Sequence, residues 1–239
     1  MDPDRIEATI GSIPASWLDA LGPAGSPEQL APIAAFVARR REETCVLPLD
    51  PRQVFAALHA TPFDDVRAVI LGQDPYPNRE HAMGLAFSVP RDLRTPLPAS
   101  LRRIRAELQS DCRVMPPDHG SLEAWTRQGV LLLNTALTVD EGVSGSHGRA
   151  GWWDLTNAVI TAIAGKKTPI AFLLWGRHAQ AKEVLIKGRG HVVVPSPHPM
   201  ARLSHGFRGS QPFSRANAEL ERLGAKPIIW SLKDKHASD

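Results

Sequence analysis

Ala68-Val69-Ile70-Leu71-Gly72-Gln73-Asp74-Pro75-Tyr76-Pro77 decides how the rest of the chain is read. Its first four residues are apolar at every position. A strand built from them needs burial on both faces, as in a parallel sheet covered by helices on each side. Polarity then changes abruptly. Gly72 allows a sharp exit from the strand, and two prolines fix φ on either side of a tyrosine, the only one in the chain. The product is a rigid loop presenting an amide, a carboxylate and a phenol in set directions. The plain alternative is a strand-ending turn in which Asp74 bonds only to backbone. The single tyrosine framed by prolines argues against it.

Three more apolar runs repeat the pattern: Val130-Leu131-Leu132-Leu133, Ile170-Ala171-Phe172-Leu173-Leu174 and His191-Val192-Val193-Val194. Helical spacing fills the intervals, at about 99–109, 121–128, 153–164, 177–187 and 212–223. Asp50-Pro51-Arg52-Gln53 reads as a further helix start, with Val54, Phe55 and Leu58 as its apolar stripe. The expected fold is α/β, with a central four-stranded parallel sheet flanked by helices. Polar or Pro-rich segments follow each strand: Gly72–Pro77, Asn134, Trp175-Gly176-Arg177 and Pro195-Ser196-Pro197-His198-Pro199. Ligands of open α/β sheets bind at the carboxyl ends of the strands, so a site is expected there.

The 239 residues suffice for a substantial core, and 43% hydrophobic with 22% charged residues is the composition of a globular protein. Residues 1 to about 45 read as an N-terminal helical region. With no repeat and no linker, 1–239 is read as one domain, monomeric by default. No apolar run reaches the roughly 18–20 residues of a bilayer span, and Met1-Asp2-Pro3-Asp4-Arg5 lacks a signal-peptide pattern, so no membrane partner is expected. Two cysteines, Cys45 and Cys112, cannot build a disulfide framework or a four-cysteine metal site. A reducing, cytoplasmic location follows as the expectation. The net charge of +3 permits a polyanionic partner without demanding one.

The hexapeptide Gly72–Pro77 is joined, in order, by Gly84-Leu85-Ala86-Phe87-Ser88-Val89, Gly129–Asn134, Ser146-His147 with Gly151-Trp152, Leu174-Trp175-Gly176, Ser196-Pro197-His198-Pro199 and Phe213-Ser214-Arg215-Ala216-Asn217. Together these resemble the uracil-DNA glycosylases of the main, Ung-type family, from about Val46 to Leu232. The resemblance implies hydrolysis of the N-glycosidic bond of uracil in single- or double-stranded DNA, without metal or cofactor. Such a reaction builds positive charge on the sugar and negative charge on the leaving base, and the site must stabilise both. By resemblance, Asp74 orients or activates the attacking water and faces the sugar cation, and His198 donates a hydrogen bond to uracil O2. Phe87 stacks on the flipped base. Asn134 pairs with its N3–H and O4 edge, Gln73 contacts it, and Tyr76 stands against C5 to exclude thymine. Pro96, Pro98 and Ser100 belong to a Pro-rich loop that presses on the DNA backbone. Gly176 and Arg177 take the place of the family's Gly-Ser loop. Each residue also has a plainer reading: a solvated His198, a core Phe87 in a strand-like Phe-Ser-Val, a loop-capping Asn134, and a Ser100 that is only an N-cap. Arg102, Arg103 and Arg105 read mainly as a solvated basic face.

The sequence departs from the family in the base-flipping loop, usually His-Pro-Ser-Pro-Leu-Ser. Here it runs His198-Pro199-Met200-Ala201-Arg202-Leu203-Ser204. Met200 replaces a phosphate-touching serine, and either Leu203 or Arg202 takes the place of the wedge, with Ser204 beside it. Weaker base extrusion or product retention is expected from this loop. Reduced sensitivity to the phage inhibitor protein of the family is expected too. The competing function is a non-catalytic uracil- or abasic-DNA binding protein on the same scaffold. A nucleotide-binding α/β protein is disfavoured, because no Gly-x-Gly-x-x-Gly follows a strand.

Overall fold

The structure, a computed structural model, describes residues 1–201 and 206–233. The N-terminal part is helical: α1 (Pro3–Ile10), α2 (Ala15–Leu21) and α3 (Pro27–Glu43). Asp2 caps α1 by accepting from the Arg5 N–H at 2.9 Å, with Pro3 in the first turn. Next comes β1 (Val46–Leu47), too short for any alternating pattern to announce it. Asp50 does act as a cap, accepting from the Arg52 N–H at 3.0 Å. The helix expected behind it is interrupted, however: a 3-10 turn covers Pro51–Gln53, and α4 spans only Ala56–Ala60. Between them Phe55 leaves helical geometry at φ −99°, ψ 19°. Val54 and Phe55 are each 1% exposed, and Phe55 packs edge-on to Trp152. Burial of these side chains overrides the local helical preference.

The remaining elements alternate as expected: β2 (Ala68–Gly72), α5 (Ala99–Cys112), α6 (Glu123–Thr126), β3 (Val130–Asn134), β4 (Val139–Asp140), α7 (Trp152–Ala164), β5 (Ala171–Trp175), α8 (Arg177–Gln180), β6 (Val192–Ser196) and α9 (Pro212–Arg222). Two helices are shorter than their periodicity predicts. The 121–128 stretch contracts to α6, since Ser121 Oγ accepts from the Glu123 N–H at the start and Gly129 turns left-handed at the end. The 177–187 stretch divides into α8 and a 3-10 segment, Ala181–Leu185, from which Lys182 reaches Asn157 Oδ1 at 2.8 Å.

β2, β3, β5 and β6 form one parallel sheet in the order β3-β2-β5-β6. Every residue of β2, β3 and β5 is buried, which matches their unbroken apolar runs. β1 and β4 pair antiparallel as a separate ribbon. Register decides where the site can lie. Gly72 is opposite Asn134, and Trp175 is opposite Ser196, so all four strands end along one edge. Beside a small second cluster of Leu47, Ala82 and Val139, most buried apolar side chains from Ile6 to Leu232 form one continuous cluster. Trp17, Trp125 and Trp152 within it each donate their indole N–H to an oxygen, whereas Trp175 Nε1 has no partner among the described residues.

Candidate active site

Gly72 and Asn134 show why the sheet edge is built as it is. A Cβ at position 72 would lie 2.1 Å from Asn134 Oδ1 and 3.0 Å from Ala86 Cβ. Gly72 is therefore required for room rather than for a sharp exit, and its backbone is not left-handed. Asn134 is 3% exposed, yet among the described residues its side-chain amide has no hydrogen-bond partner. Loop capping falls to its neighbour: Thr135 donates its N–H to Gly72 O at 3.0 Å and its hydroxyl to Gln73 O at 3.0 Å. The Asn134 amide is not sealed from water: Asn134 lines the site cavity, where solvent or a ligand can pair with it.

Asp74 follows at the loop tip. Ser144 Oγ approaches its two oxygens at 2.9 and 3.2 Å, and the Gly145 N–H donates to Oδ2. No motif pointed to Ser144 or Gly145, and the only cue was their closeness to Ser146-His147. The segment carrying them is pinned from below. His147 contacts Asp140 Oδ1 at 2.9 Å and Thr138 Oγ1 at 2.8 Å, Trp152 donates to Thr138, and Arg40 donates to Asp140 at 2.8 Å. Burial lowers the pKa of His147 and favours its neutral ring.

Tyr76 turns its hydroxyl toward Phe87 O at 3.2 Å and Ser100 Oγ at 2.9 Å. Burial pushes its phenol upward, so it stays protonated. The plainer reading of Ser100 as an N-cap does not hold. Pro98 occupies that position, and Ser100 lies one residue inside α5, buried against Tyr76. Phe87 is not in a strand: it is half-buried at φ +63°, its ring 5.3 Å from that of Trp175 and 6.2 Å from that of His198.

His198 enters from the loop after β6. A Cβ at position 176 would lie 2.7 Å from His198 Cβ, so Gly176, at φ +86°, lets this loop close in. The Met200 N–H donates to His198 Nδ1 at 3.1 Å. Nδ1 thus acts as acceptor, and the proton of a neutral ring resides on Nε2. Burial holds the imidazole below its ordinary value and favours that neutral form.

Gly72, Gln73, Asp74, Tyr76, Phe87, Ser100, Asn134, Ser144, His198 and Met200 line one cavity of about 170 Å³. A second cavity of about 310 Å³ adjoins it across Phe87 and His198, bordered by Trp175, Gly176, Arg177 and His178. Arg177 is exposed there, while His178 is fixed by Thr135 Oγ1 at 2.6 Å. Pro96 is exposed and Pro98 half-buried, and neither lines either cavity. Arg202, Leu203 and Ser204 lie outside the described residues. The arginines of α5 are not simply solvated: Arg102 donates to Leu97 O, Arg103 to Pro199 O and Arg105 to His119 O.

Comparison with known proteins converges on one family. Residues 59–221 match the family described as the Uracil DNA glycosylase superfamily. The chain is 44% identical over 220 residues to the uracil-DNA glycosylase of Bacillus subtilis, covering 92% of this chain and 96% of that one. It is 43% identical over 237 residues to that of Xanthomonas oryzae pv. oryzae, covering 98% and 97%. Among solved structures it is similar to the mimivirus uracil-DNA glycosylase, with a TM-score of 0.83 and 26% identity over 96% of this chain and 91% of that one. A variant of the mimivirus protein is described in complex with UGI.

Proposed function

The chain belongs to the uracil-DNA glycosylase superfamily, and from that membership we propose how its residues divide the work. The enzyme hydrolyses the N-glycosidic bond of uracil in DNA, releasing free uracil and leaving an abasic site, the first step of base excision repair. Asp74 orients the attacking water and faces the cationic sugar. The clamp from Ser144 and Gly145 supports this, since it holds the carboxylate in one direction. As the water oxygen bonds to the sugar carbon and gives up a proton to Asp74, the glycosidic electron pair leaves with the base. His198 then stabilises uracil O2 through Nε2–H. Asn134 offers an unpaired amide to the N3–H and O4 edge, where cytosine presents donor and acceptor reversed. Phe87 stacks on the ring, Gln73 contacts it, and Tyr76 closes the space at C5.

DNA is held by Pro96, Pro98, Ser100, Gly176, Arg177 and the Met200–Ser204 loop, with uracil flipped out of the helix. The reading includes a cytoplasmic monomer and one domain over 1–239, the latter in keeping with the continuous core. Two expectations find no support. The non-catalytic alternative is not favoured, given relatives named as glycosylases at 43–44% identity. Weaker inhibition by the phage inhibitor protein has only the altered loop behind it, and the mimivirus neighbour is described bound to UGI.

The observation that carries the assignment is the convergence of Asp74, Tyr76, Phe87, Asn134 and His198 on one cavity. Uracil release from single- and double-stranded oligonucleotides in EDTA, beside Asp74→Asn, tests it. Metal-free release that collapses in the variant is expected. Binding without release by the unaltered enzyme would overturn it.

A further inference from the structure

Arg103 of α5 is an exposed residue, yet its guanidinium Nη1 donates to Pro199 O at 2.8 Å. That carbonyl and the Met200 N–H belong to the same peptide group, and the N–H donates to His198 Nδ1 at 3.1 Å. A peptide group is planar, so fixing the direction of its C=O fixes the opposite direction of its N–H. A cationic donor on the oxygen also polarises the group and strengthens the N–H as a donor. The turn is closed by the Ala201 N–H on His198 O at 2.8 Å, which makes the Pro199–Met200 peptide its central unit.

We propose that Arg103 is a positioning residue for His198: by gripping the Pro199–Met200 peptide it aims the Met200 N–H at Nδ1 and so keeps the ring proton on Nε2, facing the leaving base. The inference rests on the reading of His198 as hydrogen-bond donor to that base. It assigns Arg103 a task distinct from phosphate contact, which is the ordinary role of an arginine on a DNA-facing helix. Arg102 and Arg105 on the same helix reach other carbonyls, Leu97 O and His119 O, and do not touch this turn.

Single-turnover release of uracil from a single-stranded oligonucleotide at saturating enzyme separates the two roles, because binding no longer limits the rate. Arg103→Met should slow release about tenfold, the scale of one hydrogen bond to a charged group. Arg103→Lys, which keeps a cationic donor, should recover most of the rate. In a His198→Ala background Arg103→Met should add no further loss. Ring ¹⁵N resonances of His198 in the Arg103→Met protein should move from the Nε2–H form toward a mixture with Nδ1–H. An unchanged saturated rate with weaker, less salt-dependent DNA binding would make Arg103 a phosphate contact and overturn the proposal. Additive losses in the double variant, or unmoved ring resonances, would overturn it as well. If His198→Ala itself releases uracil at the normal rate, the reading of His198 fails, a result distinguishable from failure at Arg103 alone.

Discussion

Phe87 holds a left-handed backbone at φ +63°, a conformation that costs a non-glycine residue on the order of 1–3 kcal/mol. Its carbonyl is held by the Tyr76 hydroxyl and its ring by Trp175, so the surroundings sustain the strain. The result is a ring that packs against the core on one side and borders both cavities. The same economy of contacts makes single residues testable. Asp74→Asn should leave DNA binding in place and lower single-turnover excision about 10²- to 10⁴-fold. Ser144→Ala removes one of the donors on that carboxylate and should cost about tenfold, with Ser144→Thr largely restoring the rate. Full activity in the alanine variant would leave Ser144 without a part in positioning Asp74. Tyr76→Ala opens the wall proposed to face C5, so release of thymine from a thymine-containing oligonucleotide should become measurable.

At the scale of the element, α5 joins parts of the site that are far apart in sequence. Its first turn supplies Ser100 to Tyr76, and its middle supplies Arg103 to the turn after His198. Its last turns supply carboxylates. Glu107, fully buried, accepts from the N–H groups of Gly209 at 2.6 Å and Gln211 at 2.8 Å. Asp111 accepts from those of Phe213 and Ser214, each at 3.0 Å, and so caps α9 from outside it. Arg103, Glu107 and Asp111 recur every four residues, which puts them on one face of the helix. Asp111→Ala should lower stability by about 1 kcal/mol, the usual cost of a lost N-cap. Glu107→Ala removes two hydrogen bonds from backbone N–H groups and empties the buried site of its side chain, so it should cost more, about 2–4 kcal/mol, read from urea unfolding.

Across the whole molecule, burial sets the response to acid. His147, His178 and His198 are each held below the ordinary histidine value, with desolvation the leading cause. The unfolded chain therefore binds protons at these positions before the folded one does. Stability contributed by the neutral rings is complete above the unfolded value of about pH 6.5 and is lost as pH falls through it toward the depressed folded values. Thermal unfolding followed from about pH 8 down to about pH 5 should show Tm falling below about pH 6.5. A flat profile would mean that the three rings are not held neutral. His147 matters beyond stability, because its bonds to Asp140 and Thr138 anchor the segment that carries Ser144 and Gly145 to Asp74. Acid should thus reduce activity before global unfolding, a lag visible by comparing excision rate with Tm over the same range.

Much of this protein was legible along the chain. Three unbroken apolar runs specify the fully buried strands β2, β3 and β5, whereas β6, at the edge of the sheet, leaves Val193 half-buried and Pro195 exposed. The polar loops behind the strands mark the sheet edge where Gln73, Asp74, Tyr76, Asn134 and His198 gather. Such features are local: strand burial is written in consecutive residues, and loop rigidity in Gly and Pro placement. The clamp of Ser144 and Gly145 on Asp74, the bond from Arg103 to Pro199 O and the cap lent by Asp111 to α9 have no local signature. Neither does the true reason for Gly72, which is the nearness of Asn134 across the β2–β3 register. The break at Phe55, the contraction of α6 and the β1–β4 ribbon belong with them. Each depends on which distant segment packs alongside. That is settled by strand register and by competition for burial once the core has formed, so periodicity and turn chemistry, which reach only a few residues along the chain, cannot carry it.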